Sequence, residues 1–284
     1  MKGPVLAAAL ALAACAGPAE PPGKGGSEVD PAAEETEMAG ASGLLAGEVV
    51  DLTHPFDEKT VYWPTEEGFV LERGFHGRTE GGYWYEANDF RSPEHGGTHL
   101  DAPVHFAEGK WTVDQIPVER LIGPGITVDV TAAAAADADY QVTAADLEAW
   151  ETANGPIPDG AIVLLRTGFG ARWPDRATYM GTALRGEEGV AALHFPGLHP
   201  DAARWLVENR AISAIGLDTP SIDYGQSKLY ESHQVLFAAQ IPALENVAHL
   251  DRLPASGFTV IALPMKIAGG SGAPLRVVAA VPAG

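Results

Sequence analysis

Residues 94–106 read EHGGTHLDAPVHF. Between His95 and His105 this stretch holds three histidines and an aspartate: His95, His99, Asp101 and His105. Imidazole and carboxylate together form a ligand set for Zn, Mn or Fe(II). His95 and His99 are spaced i, i+4, which on a helix would share one face. Gly96 and Gly97 are poor helix residues, however, and Pro103 follows closely. A turn running into an extended segment is the expectation instead. In an extended segment positions 99, 101, 103 and 105 point the same way. His99 and Asp101 would then face one ion, and the glycine pair would let the chain bend His95 round to it. His105 would sit near that ion without being obliged to bind it, where a general acid or base belongs. A lone histidine is usually a surface or capping residue; four such groups beside turn-forming glycines call for another explanation.

The elements that must position these groups can be read from patterning. GEVVDLTHP, from Glu48 onward, starts a strand-like run. Further candidate strands are 125–131, 161–168, 211–218, 258–267 and 274–281. Between them, 143–155 has the pattern of a helix capped by Thr143 and stopped by Gly155, and 199–210 has Pro200 at a first helical position. TAAAAADAD at 131–139 reads as a surface loop or short helix. The mixture predicts a single α/β domain with a buried mixed sheet packed by helices. Aromatics gather ahead of the motif, at Phe56, Tyr62, Trp63, Phe69, Phe75 and in YWYEANDF (83–90). Most of these are expected in core or strand packing, with a subset left for an apolar pocket. Asp218 and Asp223 in GLDTPSID follow a predicted strand and fit turn chemistry and a functional loop equally. His76, His194, His199 and His249 have no partner at telling spacing and are expected at the surface or at caps.

Composition narrows the classes. The chain has 284 residues, 46% of them hydrophobic, enough for one substantial core. A formal charge of −20 argues against nucleic-acid binding, which needs basic patches, and favours cation accumulation. The single cysteine, Cys15, excludes an intrachain disulfide. MKGPVLAAALALAAC has a positive start, a short apolar run and small residues before that cysteine. It resembles a lipoprotein signal peptide (1–14) with Cys15 as the lipidated residue. Residues 15–46, rich in Pro, Gly, Ala and Glu, are expected to tether a domain at 47–284. The protein would then be exported, periplasmic or anchored to the outer membrane, touching the membrane only through its lipid.

HGGTHLDAPVH also matches every fixed position of H-x-G-T-H-x-D-x-P-x-H. With DLTHP, YWP, GLDTPSID, SHQVLFAAQIPALENV and LPMKIAGGSGAPLRVVA in order, the chain resembles the metal-dependent cyclase-like hydrolases of the bacterial kynurenine formamidase and isatin hydrolase type. That resemblance spans most of 48–281 and implies a swivelling β/β/α fold. It also implies that His95, His99 and Asp101 bind a metal and that His105 carries the catalytic proton. A later His and a Glu twelve residues on complete the family's site; His233 and Glu245 have that spacing. One or two ions, Zn or Mn, are implied, with Asp101 and Glu245 able to bridge, and so is a homo-oligomer. Trp63 would contact substrate. Where the family often continues Trp-Pro-Gly-Asp, this chain has WPTE, which puts the shape of that loop in question. His54, in DLTHP, follows a family pattern and is expected beside the site rather than on the metal. The implied reaction is hydrolysis of a small amide, kynurenine formamidase-like, through a water acidified by the ion. Alternatives are an isatin hydrolase-like attack on a cyclic amide, a lactone- or ring-forming cyclase, and a non-catalytic metal-binding lipoprotein. No G-x-S-x-G elbow supports a serine hydrolase.

Overall fold

The computed structural model describes residues 47–283. The leader, Cys15 and the tether lie outside the described residues. Strands run in the order β1 (Gly47–Asp51), β2 (Val70–Arg78), β3 (Trp84–Arg91), β4 (His99–Asp101), β5 (Ile122–Asp129) and β6 (Gln141–Val142). They continue with β7 (Ile162–Arg166), β8 (Gly197–Leu198), β9 (Ala214–Leu217), β10 (Ala243–Glu245), β11 (Phe258–Pro264) and β12 (Gly272–Pro282). The helices are α1 (Thr131–Ala136), α2 (Ala144–Asn154), α3 (Arg176–Tyr179), α4 (Gly186–Ala191), α5 (Pro200–Asn209) and α6 (Glu231–Ala238). The expected capping signals are in place. Thr143 caps α2 by accepting from the Asp146 N–H, Gly155 ends it at φ +92°, and Pro200 opens α5.

The main sheet is mixed and has the order β1-β12-β11-β5-β7-β9-β10-β4. Strands β5, β7, β9 and β10 are parallel, and α2, α5 and α6 lie in the connections between them. The sheet also closes on itself. Gly272–Pro274, the start of β12, pair with β4, which already pairs with β10. The result is a barrel-like α/β domain.

Strand β7 shows how both faces are filled. Val163 and Leu165 pack against Leu147 and Trp150 of α2, Leu206 of α5 and Phe237 of α6. Ile162 and Leu164 face the other way, onto Leu100, Leu244, Val260 and Val277. This explains the near-continuous apolar run AIVLL, since a parallel strand covered on both faces has no polar side to alternate. Each such residue contributes roughly 1.5–3 kcal/mol by leaving water.

One expectation needs correction. The extended segment ends at Asp101, and Pro103–His105 form one 3-10 turn. Pro103 has no N–H to continue a ladder, and its fixed φ suits the first position of a turn. His105 therefore does not lie along the strand beyond Asp101. The aromatic run 83–90 falls within strand packing, one of the two expected places, and on its exposed side. Among the described residues β2 and β3 pair only with each other, and Phe75, Trp84, Tyr85 and Phe90 are each half exposed or more.

His54 is 9% exposed and stacks on Trp173 with ring centroids 4.2 Å apart. Among the described residues its Nε2 has no hydrogen-bond partner. Burial, helped by the charge of His249, pushes its pKa down to about 4 from 6.5. A depressed imidazole favours the fold above its unfolded pKa, and that contribution is lost as pH falls from 6.5 toward about 4. Denaturant midpoints of the wild type are expected to fall across this window, and His54→Phe should flatten the slope; equal slopes would contradict this role.

Candidate metal centre

Backbone register brings the first groups together. His99 and Asp101 alternate with Leu100 along β4, so they share one face while Leu100 is fully buried on the other. In the antiparallel pairing of β4 with β10, His99 lies opposite Glu245. Directly opposed residues project to the same side of a sheet. The His99 Nε2 is thus 3.1 Å from Asp101 Oδ1 and 3.4 Å from Glu245 Oε2.

The glycine pair does bend the chain. Gly96 and Gly97 have φ +137° and +61°. A Cβ on Gly96 would lie 2.1 Å from the Tyr62 ring, and one on Gly97 2.5 Å from Phe56. Only glycine meets both demands. The bend returns His95 to the strand, with Nδ1 2.7 Å from Asp101 Oδ1. His233 arrives from α6, its Nε2 3.2 Å from Glu245 Oε1 and 3.4 Å from Asp101 Oδ2. Two overlapping sets of potential ligands result, His95–His99–Asp101 and Asp101–His233–Glu245, each with its ligand atoms within 4.8 Å of one another. Asp101 belongs to both.

Partners behind these groups aim them. His99 Nδ1 lies 2.9 Å from the Gly97 carbonyl; donating there leaves Nε2 with its lone pair, buried and, among the described residues, without a hydrogen-bond partner. The Gly97 carbonyl also accepts from Asn246, whose Oδ1 accepts from the Tyr179 hydroxyl at 2.8 Å. His233 Nδ1 is 2.6 Å from Asp223, and Glu245 accepts from the Ile222 N–H at 2.8 Å. An imidazole fixed by a second partner, with its other nitrogen orphaned toward carboxylates, suits a divalent ion.

Electrostatics agree with that fit. Burial opposes charge on Asp101, but the charges of His95 and His99 and hydrogen bonds from His233 and His95 hold its carboxyl well below the usual range. Burial and then the Asp101 charge raise Glu245. Burial opposes the proton on His99, yet Asp101 lifts it to about 9, and His233 is raised likewise by hydrogen bonds to Asp101, Asp223 and Glu245. The cluster holds positive charge even where burial disfavours it. A divalent ion would take the place of those protons.

His105 is partly buried above this cluster. Its ring stacks on His95, centroids 3.8 Å apart and planes at 18°. Burial pushes its pKa down to about 4, against the pull of Asp101, so at neutral pH it can accept a proton. A cavity of about 550 Å³ opens over these groups, walled by Tyr62, Trp63, Phe106 and Tyr230. Trp63 meets Phe195 edge to face at 6.4 Å. Every expected site residue within the described residues, His95, His99, Asp101, His105, His233, Glu245 and Trp63, lines this one cavity.

The undecided aspartates separate. Asp218 accepts from the Thr167, Gly168 and Gly170 N–H groups and the Thr167 hydroxyl, which is turn chemistry. Asp223 instead holds His233. Asn246 was not anticipated from sequence. Its signal, an Asn directly after a candidate ligand, becomes readable only once its backbone is seen at φ +54°. Histidines outside the cluster serve locally, as where His199 caps α5. We expect Asp223→Asn to weaken Zn or Mn binding by about 10–100-fold in a calorimetric titration; wild-type affinity would contradict the aiming role.

The family model described as putative cyclase matches residues 50–224. Isatin hydrolase of Roseibium aggregatum is 36% identical over 197 residues, 66% of this chain and 72% of that protein. Kynurenine formamidase of Salinibacter ruber is 26% identical over 235 residues, 81% of this chain and 96% of its own. The solved structure of isatin hydrolase A from Labrenzia aggregata, bound to benzyl benzoate, superposes with TM-score 0.75 at 34% identity, covering 89% of this chain and all of that one. The chain therefore belongs to the cyclase family, and its closed mixed sheet with flanking helices is the fold of the isatin hydrolase it superposes on.

Proposed function

We propose that this protein is a metal-dependent hydrolase of a small aryl amide, with isatin-like cyclic amides preferred over N-formylkynurenine. The observation that carries the reading is the convergence of His95, His99, His233 and Glu245 on the buried Asp101 beneath an aromatic-walled cavity. These five residues would hold one or two ions, Zn or Mn. When bound, such an ion acidifies water and polarises an amide carbonyl.

The chain's own groups supply the rest. Neutral His105 takes the proton of the attacking water and returns it to the leaving nitrogen. Its stacking on His95 keeps it over the reacting centre. Trp63, Tyr62, Phe106 and Tyr230 provide flat apolar walls for an aryl ring and exclude water from one side. Among the described residues no lysine or arginine lines the cavity. An amino-acid carboxylate would find no cation there, which favours a compact neutral ring. The greater identity to isatin hydrolase supports the same choice. The placement of His105 argues against a pure binder, which needs only ligands.

Export and anchoring through lipidated Cys15 are part of the proposal. Incorporation of labelled palmitate is expected in the wild type and lost in Cys15→Ser; equal labelling would refute it. Self-association is the other part, supported by the exposed aromatics of the β2–β3 hairpin.

The activity test follows absorbance of isatin and of N-formylkynurenine after chelation and after adding back Zn or Mn. Metal-restored turnover of isatin is expected to exceed that of the formamide. Turnover of neither, with metal bound, would overturn the amide reading. His105→Ala should lower kcat by about 10²–10⁴-fold while retaining metal; unchanged kcat would remove its proton role.

A further inference from the structure

The turn leading into β12, Gly269-Gly270-Ser271-Gly272, lies within the LPMKIAGGSGAPLRVVA block and has no part in the chemistry above. Register places it beside the ligands, because Gly272 pairs with Asp101 and the Ala102 N–H donates to the Ser271 carbonyl at 2.8 Å. The Ser271 hydroxyl is 2.9 Å from His95 Nε2. Glu94 accepts from that hydroxyl at 2.6 Å and from the Ser271 N–H at 2.9 Å. Beneath the ring, a Cβ on Gly272 would stand 2.5 Å from His95 Cε1. A Cβ on Gly270 would stand 3.0 Å from Glu94 Oε1.

We propose that this turn is a socket for His95, with Ser271 and Glu94 as positioning residues acting in series. The socket matters most for this ligand. The His95 side chain is 25% exposed, whereas those of His99 and His233 are 2% and 3% exposed and held by packing. A half-turn of the His95 ring would put Cδ2 where Nδ1 now faces Asp101 and Cε1 where Nε2 now faces Ser271. The hydroxyl, itself committed as donor to Glu94, accepts from Nε2–H and so leaves Nδ1 as the atom turned to Asp101. The carboxylate behind it strengthens the series, as outer-shell carboxylates do for metal-binding imidazoles. His105 stacks on the same ring, so the socket also sets the position of the proton carrier.

Asp101, His95 and Ser271 form an Asp–His–Ser series at 2.7 and 2.9 Å, which invites a reading of Ser271 as a nucleophile. Ser271 is not among the residues lining the cavity, and its hydroxyl proton is given to Glu94. It faces the back of His95, not a substrate.

The inference rests on His95 being a metal ligand, and the test separates the two. Zn or Mn affinity of the full chain is measured by competition with a chromophoric chelator. Ser271→Ala and Glu94→Ala are each expected to weaken binding by about 10–100-fold. The double variant should lose little more than either alone, because the two act in series. Ser271→Thr, which keeps the hydroxyl, should restore affinity. In the Zn-loaded wild type, ¹⁵N shifts of the His95 ring should show Nε2 protonated, and Ser271→Ala should blur that preference. Wild-type affinity in Ser271→Ala beside weakened binding in His95→Ala would overturn the socket alone. Unweakened binding in His95→Ala would overturn the ligand reading and the socket together.

Discussion

The structure depends on one constraint: the Asp101 carboxylate is buried among polar groups and must be matched from several sides. An isolated ionised carboxylate in such a place costs far more than a domain can spare. Here His95, His99 and His233 approach both of its oxygens, from a bent loop, a strand and a helix. Much of the architecture can be understood as the means of bringing three remote segments to that carboxylate. Closure of the sheet is central, since β4 must pair with both β10 and β12 to set Glu245 and the 269–272 turn on either side of Asp101.

The same constraint divides the chain into what carries function and what holds it. Leu100 faces a core shared with Leu244, Val260 and Val277, while its neighbours His99 and Asp101 face the cavity. A one-residue slip of β4 would exchange the two sets. Register is therefore both a folding and a functional requirement, and the apolar face enforces it. The parallel strands β9 and β10 end toward the cavity, the carboxyl end at which α/β sheets, open or closed, place their ligands. Polar partners then refine each group: Gly97 and Asn246 behind His99, Asp223 behind His233, Ser271 and Glu94 behind His95.

Much of this was legible in the sequence because it is local. The period-2 relation of His99 to Asp101, the glycine bend and the capped helices each rest on a few adjacent residues. Joining His233 and Glu245 to the motif required resemblance, since no periodicity links position 99 to position 245. The path after Asp101 was misread because Pro103 is as much at home opening a turn as ending a strand. The partners behind the ligands were illegible for a different reason. Asn246 and Ser271 are ordinary turn residues, and only register and the left-handed backbone at Asn246 give them a purpose, while Asp223 fits turn and function equally until its contact with His233 is seen.

Asp101 as the shared centre of a metal site is the claim on which the rest stands. Anomalous diffraction from crystals loaded with Zn or Mn, recorded at the absorption edge of that metal, tests it most directly. The account predicts a peak roughly 2.0–2.3 Å from Asp101 oxygen and from histidine nitrogen of this cluster. A second peak sharing Asp101 would define a two-ion site. An anomalous peak bound elsewhere on the chain, with this cluster empty at saturating metal, would contradict the account.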